Sequence, residues 1–332
     1  MSGCSPDEPT SILSEMRLQR QSVSYELTKH CNLRCARCDH SSPWFSPSFA
    51  SLASYEADFS ALSEVMEIDE LRFAGGEPFL HPELVDFFRI AREREFARGI
   101  TVLTNGLLLH KMTEAHWELL DALVISAYPG IKQPYDLEEL GRLSREYQVV
   151  LFIESENSFN QMLLNDRIGD EQLVRAIYKG CFSAANCHTV YEGRYYKCSR
   201  AHLLEERMAL IGKQVHNRTD DGIDLHQDGE LGAALDSYLR SNRYLEACFY
   251  CLGGHGRSFP HVQLRKRDLE AEKRERHANV HRLLDPAAEL DPAKVQPAEV
   301  FAAGWWRYDS RDAPYLQVEH RQRVTAIKSS DP

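Results

Sequence analysis

The sequence predicts an α/β fold, in which a sheet of mainly parallel strands is covered by helices. Between residues 22 and 153, short apolar runs typical of buried strands alternate with longer segments of helical spacing. Glycines and polar side chains follow these apolar runs. Because functional groups collect at the C-terminal ends of parallel strands, we expect the functional site at that edge of the sheet.

The first half of the chain predicts five strands. They lie at 22–27, 70–73, 100–104, 122–126 and 149–153. Four helices are predicted between them, at 51–67, 82–98, 113–120 and 137–147. The pattern does not define a sixth strand, because residues 157–180 are mixed and favour a helix at 170–178.

The alternation of predicted strands and helices ends after residue 179. A β-hairpin is predicted at 188–198, with its turn at Glu192-Gly193. Other segments are predicted as a loop at 213–229, a helix at 231–240, a solvated helix at 264–281 and a loosely packed region at 285–332, where Trp305 and Trp306 are expected to dock.

Composition narrows the class of protein. The 332 residues include 39 basic and 50 acidic side chains, and the net charge of −11 does not favour nucleic-acid binding. Apolar runs are too short to span a membrane, and the N-terminus lacks a signal-peptide pattern, so we expect a cytoplasmic protein. Nine cysteines in this context favour metal binding over disulfides, with Cys4 a tail residue.

The segment Cys31-Asn-Leu-Arg-Cys35-Ala-Arg-Cys38 places three thiols on one short loop after the first strand. Three thiolates can hold three corners of a [4Fe–4S] cube and leave one iron open to another ligand. A structural zinc site needs four closed ligands, which this loop does not supply. Zinc and unligated core cysteines remain the alternatives.

This loop resembles the signature of the radical S-adenosylmethionine (SAM) enzymes. The resemblance implies that the open iron chelates SAM, whose cleavage gives a 5′-deoxyadenosyl radical that abstracts a substrate hydrogen. It also implies a partial (β/α)6 TIM barrel. One position departs from the family pattern, since Arg37 stands where an aromatic residue usually precedes the third cysteine.

The resemblance assigns further SAM-binding residues to the strand ends. Gly75-Gly76-Glu77 follows the second strand, where glycines allow close approach of the backbone and a carboxylate can pair with the SAM ammonium. The alternative is an ordinary turn. The other candidates, at the ends of the third, fourth and fifth strands, are Asn105, Ser126 and Glu154.

A second group of cysteines resembles the auxiliary-cluster domain of these enzymes, in the short "twitch" form of the SPASM domain. The resemblance favours Cys181, Cys198, Cys248 and Cys251 as ligands of one further [4Fe–4S] cube, with zinc as the alternative. Cys187 is then the spare thiol. It is interpreted as a buried apolar residue, a hydrogen-atom donor or a replacement ligand, and His188 beside it as a structural residue or a base.

These patterns predict four regions: a lead-in at 1–20, the radical SAM core at 21–160, the auxiliary-cluster domain at 161–260 and an extension at 261–332. The resemblance favours a dehydrogenase acting on a sugar or aminocyclitol, with flavodoxin or ferredoxin as reductase. An epimerase using Cys187 and a peptide maturase are the alternatives. An iron–sulfur electron carrier or sensor is the non-enzyme alternative, and it would not need Gly75-Gly76-Glu77.

Overall fold

The computed structural model describes residues 17–291, 293–298 and 316–319. Cys4, Trp305 and Trp306 lie outside the described residues. The strands are β1 (Leu18–Glu26), β2 (Met66–Ala74), β3 (Gly99–Thr104), β4 (Ala122–Ala127), β5 (Val150–Ser155), β6 (Ser158–Asn160), β7 (Thr189–Tyr191), β8 (Arg194–Tyr196), β9 (Gly222–Asp224), β10 (Ser258–Pro260) and β11 (Leu316–Glu319). The helices are α1 (Leu52–Val65), α2 (Leu84–Glu93), α3 (Glu114–Leu119), α4 (Leu137–Tyr147), α5 (Glu171–Lys179), α6 (Phe182–Asn186), α7 (Leu204–Ala209), α8 (Arg218–Asp221), α9 (Leu231–Arg240) and α10 (Lys266–Arg274).

The main sheet has the strand order β11-β5-β4-β3-β2-β1-β7-β8-β9. Strands β1 to β5 and β11 form a parallel array, in which α1 to α4 each connect consecutive strands. This arrangement confirms the predicted α/β class with a parallel core, and it is consistent with the partial barrel. Strand β7 adds to β1 in parallel, and β8 and β9 continue the sheet in antiparallel pairing.

The two faces of the parallel strands differ in chemistry. Tyr25 and Phe73 belong to the main core, which packs the sheet against aromatic side chains of α1 and α2 such as Tyr55 and Phe87. Adjacent residues of a strand alternate between the faces, so Glu26 lies on the opposite, inner face. On this inner face the side chains of Ala122, Val124, Val150 and Phe152 form a small apolar cluster.

Local signals explain where several elements begin and end. The Asp136 carboxylate caps α4 by accepting hydrogen bonds from the backbone N–H groups of Glu138 and Glu139. Helix α4 ends at Gln148, which adopts a left-handed conformation with φ of 57°. Helix α2 ends earlier than predicted, because the chain turns at Glu95 with φ of 52°.

Three predictions for the second half were wrong. The predicted loop at 213–229 contains α8 and β9, and the helix predicted at 264–281 is limited to α10. The region predicted as loosely packed contributes β11, which pairs in parallel with β5 and is the sixth strand of the parallel array. The hairpin at β7 and β8 is confirmed. The predicted domain boundaries stay predictions. Within the described ranges, no helix is long and apolar enough to cross a membrane.

Candidate functional site

The three-cysteine loop follows β1 directly and lies at the C-terminal edge of the parallel strands. Cys35 is buried, while Cys31 and Cys38 are half-buried. The Asn105 amide lies 3.5 Å from Cys31 Sγ, and the Gln263 amide lies 3.2 Å from Cys35 Sγ. Burial raises the pKa of Cys31 to about 12 and that of Cys35 to about 11. These thiols therefore stay protonated unless a cation stabilises the thiolates.

The two glycines of Gly75-Gly76-Glu77 hold the next loop against the three-cysteine loop. The Gly76 N–H donates to the Thr28 carbonyl at 2.7 Å, and the Glu77 N–H donates to the His30 carbonyl at 3.1 Å. A Cβ on Gly75 would lie 2.3 Å from the Thr28 oxygen, and one on Gly76 would lie 2.0 Å from the His30 oxygen. Only glycine therefore permits this approach, which positions the backbone immediately before Cys31.

Glu77 is fully buried and organises the end of β3. Its carboxylate accepts hydrogen bonds from the Thr104 hydroxyl at 2.7 Å and from the Asn105 N–H at 2.8 Å. The Asn105 side chain then donates to the Asn32 oxygen at 2.7 Å, beside Cys31. Burial raises the pKa of Glu77 to about 7, although these hydrogen bonds oppose the shift. The structure thus brings Glu77, Asn105 and Cys31 together, as the sequence predicted.

We expect Glu77→Ala to weaken SAM binding by about 30-fold or more, because truncating one partner of a buried charge pair costs roughly 2–5 kcal/mol. In the native protein SAM should also bind more weakly below pH 7, where a proton competes with the ligand ammonium for the raised-pKa carboxylate. Equilibrium binding to the anaerobically reconstituted protein measures both effects. Glu83→Ala, which removes an exposed carboxylate nearby, is the matched control. Unchanged affinity in Glu77→Ala would show that Glu77 serves only the loop structure.

Ser126 and Glu154 occupy paired positions on the adjacent strands β4 and β5, on the inner face. Glu154 is buried, and Arg72 on β2 is close enough to interact with it electrostatically. Ser126 hydrogen-bonds Tyr128, whose ring stacks on His261 at 4.7 Å. The two residues therefore lie on one polar edge of the inner face, and their role in binding SAM stays a prediction.

Arg37 contacts residues of a separate part of the chain. Its guanidinium lies 3.8 Å from the centre of the Phe259 ring, and its Nε donates to the Gln161 oxygen at 3.0 Å. Phe259 belongs to β10, which pairs with β6 in a separate two-stranded sheet. The aromatic ring in this region therefore comes from a distant part of the chain, and Arg37 packs on it.

The second group of cysteines gathers around one cavity, which we call the second cavity because it belongs to this group. Cys181 precedes α6, Cys198 follows β8, and Cys248 and Cys251 flank the end of a 3-10 turn. All four line the cavity, whose wall also contains apolar side chains and two arginines. Cys187 is not among the lining residues. The four thiols that the sequence analysis selected thus line one cavity, and their role as cluster ligands stays a prediction.

Within the described ranges, no three or more His, Cys, Asp or Glu side chains form a group that could hold a single metal ion. A structural zinc ion needs four ligands that converge on a single centre. In a [4Fe–4S] cube each thiolate binds a different iron, so the sulfurs stand further apart.

Cys187 lies at the C-terminal end of α6, close to Arg200 of the cavity wall and to Arg72 of the inner face. Burial raises the pKa of its thiol, while Arg200 and Arg72 lie close enough to oppose the shift. The neighbouring His188 is buried, with its two ring nitrogens near the Tyr195 hydroxyl at 2.7 Å and the Ala184 carbonyl at 3.2 Å. Burial lowers the pKa of His188 well below its usual range, so this geometry supports the structural interpretation of His188.

An ion pair between a buried arginine and a half-buried carboxylate links the two cysteine groups. Asp39, the residue after Cys38, forms a salt bridge with Arg200, which lines the second cavity. His40 lies 3.0 Å from Asp39 and 3.9 Å from Glu26 on the inner face. Burial opposes protonation of His40, but these two carboxylates raise its pKa to about 9. The sequence analysis did not identify Asp39 or Arg200, because residues so far apart in the chain give no periodic signal.

Asp221 is a second residue that the sequence analysis missed, and it fixes the chain before Cys248. Its carboxylate accepts hydrogen bonds from the backbone N–H groups of Glu246 at 2.5 Å and Ala247 at 2.9 Å. The Asn217 amide donates to it at 2.7 Å. Because the side chain is almost fully buried, these contacts hold the 3-10 turn in place.

Asp221→Asn should lower the free energy of unfolding by about 1–3 kcal/mol, because an amide nitrogen would face buried donors and leave one unsatisfied. Thermal unfolding of the anaerobically purified protein measures the loss as a lower Tm. Asp220→Asn changes the adjacent, exposed carboxylate and should leave the Tm unchanged. Equal Tm values for both variants would contradict the assigned role of Asp221.

Comparisons with known proteins agree with the geometry of the first site. Residues 25–149 match the family model of the Radical SAM superfamily. The chain therefore contains a radical SAM domain, and this segment carries the three-cysteine loop, Glu77 and Asn105. This family implies a [4Fe–4S] cluster and SAM as cofactors.

Similar curated proteins include two GTP 3′,8-cyclases. The one from Chlorobaculum tepidum is 31% identical over 115 residues, which cover 34% of this chain and 32% of that protein. The one from Limosilactobacillus fermentum is 34% identical over 112 residues, which cover 31% and 32%. The chain thus spans about a third of the length of these relatives. The crystal structure of BtrN in complex with AdoMet and 2-DOIA has a TM-score of 0.46 and 17% identity, covering 71% of this chain and 94% of that chain.

Proposed function

We propose that the protein is a radical SAM oxidoreductase that oxidises an alcohol carbon of a sugar- or aminocyclitol-type small molecule. In this proposal, Cys181, Cys198, Cys248 and Cys251 would hold a second [4Fe–4S] cluster, which would supply an acceptor for the electron that the oxidation releases. One observation carries it: four of the five later cysteines line a single cavity, and the Asp39–Arg200 pair connects that cavity to the first cysteine loop.

The side chains at the two sites fit the two proposed [4Fe–4S] clusters. The three-cysteine loop offers three thiols and nearby amide donors, which is the donor set for a cube with one open iron. The second cavity offers four thiols, which is the donor set for a closed cube. When bound, the first cluster and SAM supply a 5′-deoxyadenosyl radical that removes a hydrogen atom from the substrate.

The chain itself would position the reactants. Gly75 and Gly76 hold their loop against the residues before Cys31, and Glu77 and Asn105 fix the end of β3 beside the same cysteine. Glu77 is proposed to pair with the SAM ammonium. Apolar side chains such as Leu203 and Leu245 would keep water away from the second group.

The inner face favours a small polar substrate. Arg72 forms an ion pair with Glu70, and the Thr101 hydroxyl donates to Glu70 at 2.6 Å. Glu26 and Glu154 are buried nearer the strand ends. Buried charges and hydrogen-bonding groups are suited to a ligand rich in hydroxyl or amino groups. A cytoplasmic location and a flavodoxin or ferredoxin as electron donor complete the proposal.

An epimerase is the second candidate, and the position of Cys187 favours it. This thiol lies outside the second cavity, with Arg72 of the inner face close to it. A thiol in that position is suited to return a hydrogen atom to a substrate radical. A peptide maturase and an iron–sulfur carrier or sensor are the remaining alternatives, and the carrier would not need the loop built around Glu77.

The first test is the iron content and SAM cleavage of the native chain. After anaerobic reconstitution we expect about eight irons per chain, as two cubes require. With dithionite the protein should convert SAM to 5′-deoxyadenosine, and a true substrate should appear as a ketone in equal amount. About four irons per chain would contradict the second cluster. About one zinc per chain would contradict both cluster assignments. If the protein binds iron but does not cleave SAM, the result would favour the iron–sulfur electron carrier or sensor.

A further inference from the structure

We propose that Arg200 sets the reduction potential of the group held by the second set of cysteines, by donating its Nε–H to a sulfur of that group. The inference rests on the proposed second [4Fe–4S] cluster. It assigns Arg200 as a positioning and tuning residue, which acts on the electron acceptor and not on the substrate.

The first support is an unused hydrogen-bond donor. Arg200 is only 8% exposed and lines the same cavity as Cys198 and Cys251. Its two terminal nitrogens have partners: one lies 3.4 Å from the Ser199 hydroxyl, and the other pairs with Asp39. Its Nε is buried and has no hydrogen-bond partner among the described residues. Buried N–H groups are rarely left unsatisfied, so an unpaired one in a cavity wall indicates an acceptor in that cavity.

A second arginine in the same wall provides the contrast. Arg207 is equally buried, but its Nε donates to the Ser41 hydroxyl at 3.0 Å. Its terminal nitrogens donate to the Leu164 carbonyl at 2.9 Å and to the Asn165 oxygen at 2.6 Å. All three nitrogens of Arg207 are therefore bonded to the protein. Of these two arginines, Arg200 alone keeps a donor for a bound group.

The salt bridge to Asp39 holds the guanidinium in place. Asp39 follows Cys38 in the first loop, so its carboxylate is fixed by the chain that carries the first site. A planar guanidinium anchored at one edge presents its remaining N–H in a fixed direction. The same contact makes Arg200 a direct connection between the two cysteine groups.

The expected direction of the effect follows from electrostatics. An iron–sulfur cluster becomes more negative when it is reduced, so a nearby cation and an N–H donor stabilise the reduced form. Arg200 should therefore raise the reduction potential and make the second group a better electron acceptor. Removing the donor should lower the potential.

The test compares Arg200→Lys with Arg207→Lys, since both changes keep a positive charge and remove a guanidinium. Each is made in the full chain with Cys31, Cys35 and Cys38 replaced by Ala, so that only the second cluster contributes to the signal. The midpoint potential is measured by a redox titration followed by electron paramagnetic resonance. We expect Arg200→Lys to disfavour reduction about tenfold, which lowers the potential by about 59 mV for one electron. Arg207→Lys should leave the potential unchanged.

Arg200→Met, which removes the charge as well, should shift the potential further in the same direction. Equal potentials in Arg200→Lys and the parent chain would overturn the inference. Failure of both Arg200 variants to take up iron, with Arg207→Lys intact, would also overturn it, because Arg200 would then be needed for assembly. If the parent chain itself binds no second cluster, the proposed function fails instead, and the iron content distinguishes that result.

Discussion

Replacing Cys31, Cys35 and Cys38 together with Ala should abolish the formation of 5′-deoxyadenosine and leave about half of the iron. The three thiols form one loop after β1, and Asn105 and Gln263 donate toward two of them. Without thiolates no iron can be presented to SAM, while the second cavity keeps its four cysteines. Iron analysis and chromatography of the SAM products under anaerobic, dithionite-reduced conditions measure both effects.

A reciprocal variant provides the control for this prediction. Cys248→Ala combined with Cys251→Ala should also remove about half of the iron, but SAM cleavage should continue because the first loop is untouched. If the triple variant still produced 5′-deoxyadenosine, the first loop would not be the site of SAM cleavage. If the triple variant lost all of its iron, the second cavity would not bind a cluster independently.

Much of the parallel core was predictable from the sequence, because local patterns determine it. Apolar runs and helical spacing located β1, β3, β4, β5 and α4 within a few residues. Strand β11 was not predictable in the same way. Its partner β5 lies far away in the chain, and no periodic signal in a single sequence reports a pairing over that distance.

The candidate site likewise contains local features that the sequence predicts and long-range contacts that it does not. The spacing of the three cysteines and the Gly75-Gly76-Glu77 turn are local, and the structure brings them together as predicted. The sequence predicted that the glycines approach a ligand, which stays a prediction, and in the structure they approach the backbone of Thr28 and His30. Both require a missing Cβ, so the residue type alone does not distinguish them. The Asp39–Arg200 pair joins two loops from different parts of the chain and had no sequence signal.

The second large expected effect concerns Cys251, one of the four predicted cluster ligands among the five later cysteines. Cys251→Ala should stop formation of the oxidised product while 5′-deoxyadenosine still appears. The variant removes one thiol from the cavity wall, so the proposed electron acceptor is lost while the first loop stays intact. Product analysis by mass spectrometry, with iron content measured on the same sample, tests this result. Oxidised product at the native rate from a chain with half the iron would contradict the role of the second cluster.

Cys187→Ala is the matched control, because it removes a cysteine that does not line the cavity. In a dehydrogenase the substrate radical gives up a proton and an electron, so this variant should keep its iron and lose no more than a few-fold in turnover. In an epimerase the radical must receive a hydrogen atom, so the same variant should stop product formation while 5′-deoxyadenosine still appears. Loss of the second cluster in Cys187→Ala would contradict both and make Cys187 a ligand. We expect the dehydrogenase result, since a spare cysteine is most often an inert packing residue.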